Sequence, residues 1–406
     1  MKKNRVFGRL VHFECRKAFL NPMMLVFTVF LLLMNGWKVY DSYQRAVSVW
    51  QEYESLYADF YEIYCGTITP EKADHLMNIY SPLEEKSESW TLNYYYDPDA
   101  YTYSEGMDYD FFSSQFAIEM EYDYLYQNKA YNIVTRAQTL SEFYENVGNR
   151  FESEKNQKIK QDFLGRRIPE FADTRGFEVL LHYDYSSMLV LLLMLFGLCN
   201  VFVVERETEM YMLLRTTRRG CGAAIGAKLA ASALFCIVVC ALFYTQDFLT
   251  IYFAGHRNEA LSSPVYALRT LEVTPLNMTV GGYFLWAAAF RTWGVLACGC
   301  YVLLISCLCS QVLSAFFGGL ACILGGVVLQ EFCRTHYALK WFNPLEMVIG
   351  RELVQTSAFV NVLGRAVHLH VFVAAGILIA MAGLTAGILY CNRSYHSRAG
   401  RRHLHA

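Results

Sequence analysis

Two ionisable residues, Asp247 and Arg291, lie within long apolar runs of the sequence. A charged side chain at membrane depth is costly, and such residues usually pair with one another or mark the path of a substrate or ion. Both are expected towards the external face of the membrane, where a pair between them would gate an outer vestibule. The alternative is an interfacial position for Arg291, because the apolar run after it is still long enough to span a bilayer.

A charged segment at 205–222 separates two other apolar runs. It starts with acidic residues and continues as a short amphipathic helix, and it ends in basic residues, an order that complements the helix dipole. A short helix with an apolar ridge and charged flanks fits a groove on a partner protein. The alternative is a helix in the lipid headgroup layer, with its arginines on anionic lipid.

Motifs of common enzymes are absent from the sequence. Gly222–Lys228 resembles a phosphate-binding loop, but its gap is one residue short and neither Ser nor Thr follows the lysine. Most of the thirteen cysteines lie in apolar runs, where a free cysteine is expected to act as a small hydrophobic side chain, and the cluster at 298, 300, 307 and 309 lacks zinc-site spacing. We therefore expect no enzymatic activity, no metal and no cofactor, so that energy from ATP would have to come from a partner.

Six apolar stretches are long enough to cross a bilayer as helices, which needs about 20 residues each. They are 21–40, 185–204, 223–252, 287–309, 311–330 and 368–391. Only 18% of the 406 residues are charged and 54% are hydrophobic, which excludes an ordinary soluble enzyme. The net charge of -2 argues against a nucleic-acid partner. The sequence therefore predicts an all-α polytopic membrane protein with six transmembrane helices.

The distribution of Lys and Arg predicts the orientation of these helices. Basic residues cluster in 1–20, in 205–222 and after 391, and with six spans these three segments share one side. The positive-inside rule identifies that side as the cytoplasm, so both chain ends are expected there and the plasma membrane is the expected location. The segment 333–366, with four basic residues, is a mild exception on the outside. The first span lacks a cleavage site and is expected to be an uncleaved anchor.

Residues 41–182 are expected to form a mostly helical extracellular domain between the first two spans. They hold 26 acidic and 12 basic residues, a net charge of -14, whereas the rest of the chain has a net charge of +12. Apolar residues recur at helical spacing over 42–64, and hydroxyl residues before Pro70 and Pro82 predict helix starts. Two more helices are predicted over 109–164, with a break at a glycine.

The predicted domain is rich in tyrosine, which offers a large contact area with a polar tip and suits a recognition surface. The alternative is that the tyrosines are half-buried packing residues of a small helical domain. If they recognise a partner, the chain is a membrane-anchored receptor or scaffold, although six spans exceed what an anchor needs. The residues concerned are Tyr94, Tyr95, Tyr96, Tyr101, Tyr103, Tyr122, Tyr124 and Tyr126.

The segment from Phe202 to Gly220 resembles the loop between spans two and three of type-2 ABC exporter permeases. Those loops run roughly Glu-x-Glu-x-Gly-Thr, two leucines, a Thr/Ser-Pro step, Arg and then Lys. This chain departs from the pattern in lacking the glycine near Thr208 and the proline near 217–218. The resemblance extends over the membrane parts, about 60% of the chain, and does not cover 41–182.

Three other segments agree with this family in their order. Residues 5–20, with Glu14 and Lys17, resemble the amphipathic elbow before the first span. Ser306–Ser310 resembles the short turn between spans four and five, and Asn343–Leu345 the external segment before the last span. The chain then divides into the segments 1–20 (cytoplasmic elbow), 21–40 (first span), 41–182 (extracellular domain) and 183–406 (membrane domain with five spans).

The resemblance implies a permease that exports a substrate across the plasma membrane with energy from a separate ATP-binding cassette ATPase. It also implies a second copy of the chain or a sister permease, within the lipid bilayer. In the family the loop helix docks on the ATPase and passes its motion to the spans. The contact residues implied here are Glu205, Glu207, Leu213, Leu214, Arg218 and Arg219.

Small residues recur every four positions in the last two predicted spans. One stripe holds Gly318, Cys322 and Gly326, and the other holds Gly383 and Gly387. Such stripes let helix backbones approach closely. Packing within the chain is one use of them. A dimer contact is the other, which the resemblance favours because these permeases form two-fold assemblies.

Overall fold

The computed structural model describes residues 2–47, 53–93, 103–208, 220–255, 258–333, 340 and 343–402. Within these ranges the chain is mostly helical, and six helical segments are long and apolar enough to cross a membrane. They are Pro22–Val47, Arg175–Glu207, Gly222–Gly255, Val280–Leu308, Val312–Phe332 and Leu369–Asn392. The protein is thus a multi-pass membrane protein of the all-α class, as predicted, with spans close to the predicted bounds.

The first span is preceded by a helix and followed by a helical domain. The chain begins with α1 (Lys2–Ala18) and α2 (Pro22–Val47). The domain contains α3 (Glu54–Tyr64), α4 (Pro70–Asn93), α5 (Tyr103–Phe112), α6 (Ile118–Asn146) and α7 (Arg150–Phe163). Strands β1 (Gly66–Thr67) and β2 (Glu170–Phe171) pair antiparallel and bring the two ends of this domain together.

The membrane body follows the domain in the chain. Its second span consists of α8 (Arg175–His182), α9 (Tyr185–Leu198) and α10 (Asn200–Glu207). The later helices are α11 (Gly220–Gly255), α12 (Val280–Leu308), α13 (Val312–Cys333), α14 (Leu345–Ile349) and α15 (Leu369–Arg402). A hairpin of β3 (Phe359–Val362) and β4 (Arg365–His368) leads into α15. We call the end of the bundle next to α3–α7 the domain end, and the end with the 208–220 connection the loop end.

The second span is the centre of the membrane body. In its most apolar window 67% of the residues are buried within the protein, against 11% for the span in α13. Leu193 and Met194 are fully buried and pack with Val239 of α11 and Val302 of α12. The helices α2, α13 and α15 surround this core and leave most of their apolar surface for lipid.

The domain has an aromatic core of its own. Tyr57 and Tyr64 of α3 are buried with Phe116 and Phe171, and the rings of Tyr57 and Phe116 stack 5.3 Å apart. These tyrosines recur at the helical spacing that predicted α3, so the periodicity identified a buried face.

Three of the predicted helix boundaries in the domain were tested by the structure, and the start at Pro70 is confirmed. The break between the last two domain helices is confirmed: Gly148 has a φ of 76°, which favours glycine, and Asn149 caps α7 through the Glu152 amide at 3.2 Å. The helix start at Pro82 is wrong, because Pro82 lies inside α4. The proline removes one backbone donor, and packing of the buried Tyr80 against Tyr109, with ring centres 5.7 Å apart, supports the continuous helix.

The connection between α11 and α12 is a compact folded segment that the sequence did not predict. It makes three short 3₁₀ turns over 259–271, and Val265, Leu268 and Leu271 are completely buried. Tyr126 of α6 packs on it, donating a hydrogen bond to the Glu272 carbonyl at 2.9 Å. This segment therefore joins the domain to the membrane body.

A buried carboxyl in α6 makes the stability of this junction depend on pH. Burial, together with the nearby Glu119, raises the pKa of Asp123 to about 8. The folded-state pKa exceeds the unfolded value of about 3.9, so stability is lost as the pH rises from about 4 to 8. We predict that Asp123→Asn removes this loss and slows amide hydrogen exchange in α6 at pH 8 by about tenfold or more. Hydrogen-exchange mass spectrometry measures the effect.

Asp110→Asn is the matched control, because Asp110 is an exposed carboxylate in the neighbouring α5. This variant should exchange as the wild type does. Equal exchange of the Asp123→Asn variant and the wild type across this pH range would contradict the prediction.

Candidate functional site

A buried ion pair at the loop end joins α10 to α11. The Lys228 Nζ atom lies 2.6 Å from Glu205 Oε1 and donates a hydrogen bond to the Val201 carbonyl at 2.8 Å. The Lys228 side chain is only 2% exposed, and its ammonium group lies 5.1 Å from the centre of the Phe202 ring. The pair therefore ties together the two helices that flank the 209–219 connection.

The amino-terminal helix α1 joins the same cluster of charges. Lys17 Nζ lies 3.3 Å from Glu205 Oε1, so that this carboxylate is shared by two ammonium groups. Burial raises the pKa of Glu14, and the positive charges of Lys228 and Lys17 partly offset the effect. We call Glu14, Lys17, Glu205 and Lys228 the loop-end cluster. It connects the amino-terminal helix α1 to the two helices that flank the 209–219 connection.

The end of α10 is also attached to the turn between α12 and α13. Glu207 accepts a hydrogen bond from the Val312 amide at 2.8 Å, at the start of α13. Arg206 donates to the Cys309 carbonyl at 3.0 Å. The last turn of the second span is therefore bonded to the turn between α12 and α13 as well as to α11. Sequence reasoning missed these contacts, because a backbone amide or carbonyl as a partner leaves no pattern in the sequence.

The six residues implied as ATPase contacts fall into two groups. Glu205 and Glu207 are described, and both make the contacts within the chain given above. The other four, Leu213, Leu214, Arg218 and Arg219, lie outside the described residues.

Asp247 belongs to a buried polar network at membrane depth. It is 3% exposed, and its Oδ1 atom accepts a hydrogen bond of 2.6 Å from the Asn35 amide. Tyr183 donates to Asn35 Oδ1 at 3.1 Å, and Gln246 donates to the Leu32 carbonyl at 2.8 Å. The network links α2, the break between α8 and α9, and α11.

Arg291 pairs with Asp184 and not, among the described residues, with Asp247. Its guanidinium lies 3.6 Å from Asp184 Oδ1, and Arg351 binds the other carboxylate oxygen. Asp184 is available because the helix break at 183–184 places it beside α12. Asp247 and Arg291 nevertheless line one cavity, of about 960 Å³, between α11 and α12. The sequence identified two residues that line one cavity, but it did not identify Asp184 as the ion-pair partner of Arg291.

The basic segment that was an exception to the charge pattern is partly neutralised by such pairs. Lys340 Nζ lies 3.0 Å from Glu346 Oε2, with both side chains almost completely buried, and Arg351 binds Asp184. Two of the four basic residues in 333–366 are thus paired with carboxylates.

The small-residue stripe of α13 is used for packing within the chain. A methyl group added at Gly318 would lie 3.0 Å from Ile305 of α12, and one at Gly326 would lie 2.9 Å from Leu345 of α14. Gly383 of α15 has open space around it. The first stripe therefore allows close contact with helices of the same chain.

The loop-end cluster makes an asymmetric prediction about stability. Glu205→Gln leaves Lys228 buried without its counter-charge and should cost about 3 kcal/mol or more. Lys228→Met should cost less, because Lys17 still pairs with Glu205. The double variant should be more stable than Glu205→Gln alone, because the uncompensated buried charge is gone. Unfolding of the purified chain in detergent measures all three, and strictly additive losses would contradict the prediction.

Comparison with protein families and with curated proteins identified no relative of this chain. No protein-family model matches the chain, and no curated protein matches it either.

Proposed function

We propose that this chain is the permease subunit of an ATP-binding cassette exporter, driven by a separate ATPase subunit. The observation that carries the proposal is the loop-end cluster. It ties α10 and α11, the helices on either side of the 209–219 connection, to each other and to α1. A segment that received force from a partner would need such an attachment to move the spans. The proposal also uses the order and number of the spans, and the resemblance of 202–220 to the loop of such permeases.

In this proposal the loop helix is a lever. The ATPase closes on binding ATP and pushes Leu213 and Leu214, and the charged flanks keep the helix in place. Glu205 transmits the displacement to α11 through Lys228, and Glu207 transmits it to α13 through the Val312 amide. Contacts with buried charges resist separation, because each broken pair leaves a charge without a partner. The helices would then move together as rigid bodies and alternate access to the substrate.

The remaining features of the proposal follow from the charge distribution. The loop end, with both chain ends, faces the cytoplasm, and the acidic domain lies outside the cell. The plasma membrane is the proposed location. A second copy of the chain or a sister permease completes the two-fold assembly, and the ATPase is needed because the sequence has no phosphate-binding loop.

The contacts of the tyrosines in α6 support packing over a receptor function. Tyr126 is 2% exposed and stacks on Tyr266 with ring centres 4.8 Å apart. Tyr122 donates a hydrogen bond to the Tyr266 carbonyl at 2.8 Å, and Tyr124 is exposed. Two of these three tyrosines therefore hold the domain to the membrane body.

The ATPase contact is tested by affinity purification of the full chain from its native membranes. The wild type should bring down an ATP-binding cassette subunit. Leu213→Asp combined with Leu214→Asp should reduce its yield at least tenfold, because two charges replace the apolar ridge that enters the partner's groove. Leu363→Asp is the matched control, since Leu363 is fully exposed at the domain end, and it should bind as the wild type does. Undiminished recovery with the double variant would reject the contact.

The orientation is tested by epitope accessibility. A tag in the hairpin turn at 363–364 should bind antibody on intact cells, because that turn is at the domain end. A tag after the last residue should bind only once the membrane has been permeabilised. The reverse pattern would place the proposed lever outside the cell and exclude an ATPase contact.

A further inference from the structure

The cavity between α11 and α12 opens on the surface of the spans. Five of the residues that line it are exposed: Ile237, Ala241, Thr245, Leu285 and Ala289. The first three are spaced four residues apart and lie on one face of α11, and the other two are spaced in the same way on α12. Because these helices are membrane spans, their exposed faces meet lipid. The cavity is therefore a lateral groove, which we call the α11–α12 groove.

The dimensions of the groove suit a lipid chain. Its lining on α12 extends from Gly281 to Leu296, a distance of about 22 Å along the helix at 1.5 Å per residue. One leaflet of a bilayer provides about 15 Å of hydrocarbon, half of the core thickness. Apolar side chains such as Phe248 and Phe284 dominate the lining, and the volume of about 960 Å³ is large enough for a bound amphiphile.

The polar wall of the groove carries one charge of each sign. Asp247 has its short hydrogen bond from the neutral Asn35 side chain. Arg291 shares the Asp184 carboxylate with Arg351, so two guanidinium groups depend on one anion. A ligand with a cationic and an anionic centre would complement both Asp247 and Arg291, whereas a singly charged ligand would be repelled by one of them.

We propose that the α11–α12 groove binds a zwitterionic phospholipid from the bilayer. Its ammonium group faces Asp247, its phosphate faces Arg291, and an acyl chain lies along the apolar wall. This binding does not depend on the proposed coupling to an ATPase, because it requires only the chain and a membrane. Its test therefore distinguishes failure of this proposal from failure of the proposed function.

The test uses the purified full chain, delipidated in detergent and titrated with phosphatidylethanolamine while native mass spectrometry counts bound lipid. The wild type should retain a single tight lipid and prefer it to phosphatidylglycerol by about tenfold. Ala241→Trp fills the mouth of the groove from an exposed position and should weaken binding of both lipids by about tenfold or more. Ala321→Trp makes the same change at an exposed position of α13 and should bind as the wild type does.

The headgroup assignment has its own variant. Asp247→Asn keeps the shape of the side chain and removes its charge, so it should abolish the preference for the zwitterionic lipid while a lipid still binds. Thr245→Trp, also at the exposed mouth, replaces Ala241→Trp if that variant does not fold. The proposal is overturned if groove-filling variants bind as the wild type does. It is equally overturned if the wild type binds the anionic lipid as tightly as the zwitterionic one.

Discussion

The cost of leaving a charge unpaired at membrane depth determines how this chain is held together. Three of the ion pairs of the membrane body join segments that a connection or a long stretch of chain separates. Lys228 pairs with Glu205 across the 209–219 connection, and Asp184 holds both Arg291 and Arg351. Apolar contacts between helices are weakly directional in lipid, since the surroundings are equally apolar. The ion pairs therefore fix which helices are neighbours.

These ion pairs lie at the two ends of the second span. At the loop end, Glu205 of the second span forms ion pairs with α1 and α11. Towards the domain end, Asp184 forms ion pairs with α12 and with the segment after α14. The second span carries both carboxylates and is also the most buried of the six. It is thus the element on which the others depend.

What the sequence predicted and what it missed differ in the range of the interactions concerned. The six spans follow from local hydropathy, and the break at Gly148 follows from one residue's backbone freedom. The helix through Pro82 is stabilised by Tyr109 of another helix, so the local signal for a helix start was overridden. The buried turns near Val265 depend on α6, more than a hundred residues earlier in the chain. The partner of Arg291 was missed for the same reason, because Asp184 comes beside it only after the helices have packed.

The length of α11 connects the two ends of the molecule mechanically. At 1.5 Å per residue its 36 residues extend about 54 Å, well beyond a hydrocarbon core of about 30 Å. Lys228 of the loop-end cluster and Asp247 of the α11–α12 groove lie on this one helix, about 28 Å apart along its axis. An α-helix of this kind transmits a tilt over that distance, because its backbone bonds are all internal. If a displacement entered through Glu205, as in the proposed function, it would change the width of the groove only to the extent that α12, which Asp184 holds to the second span, did not move with α11.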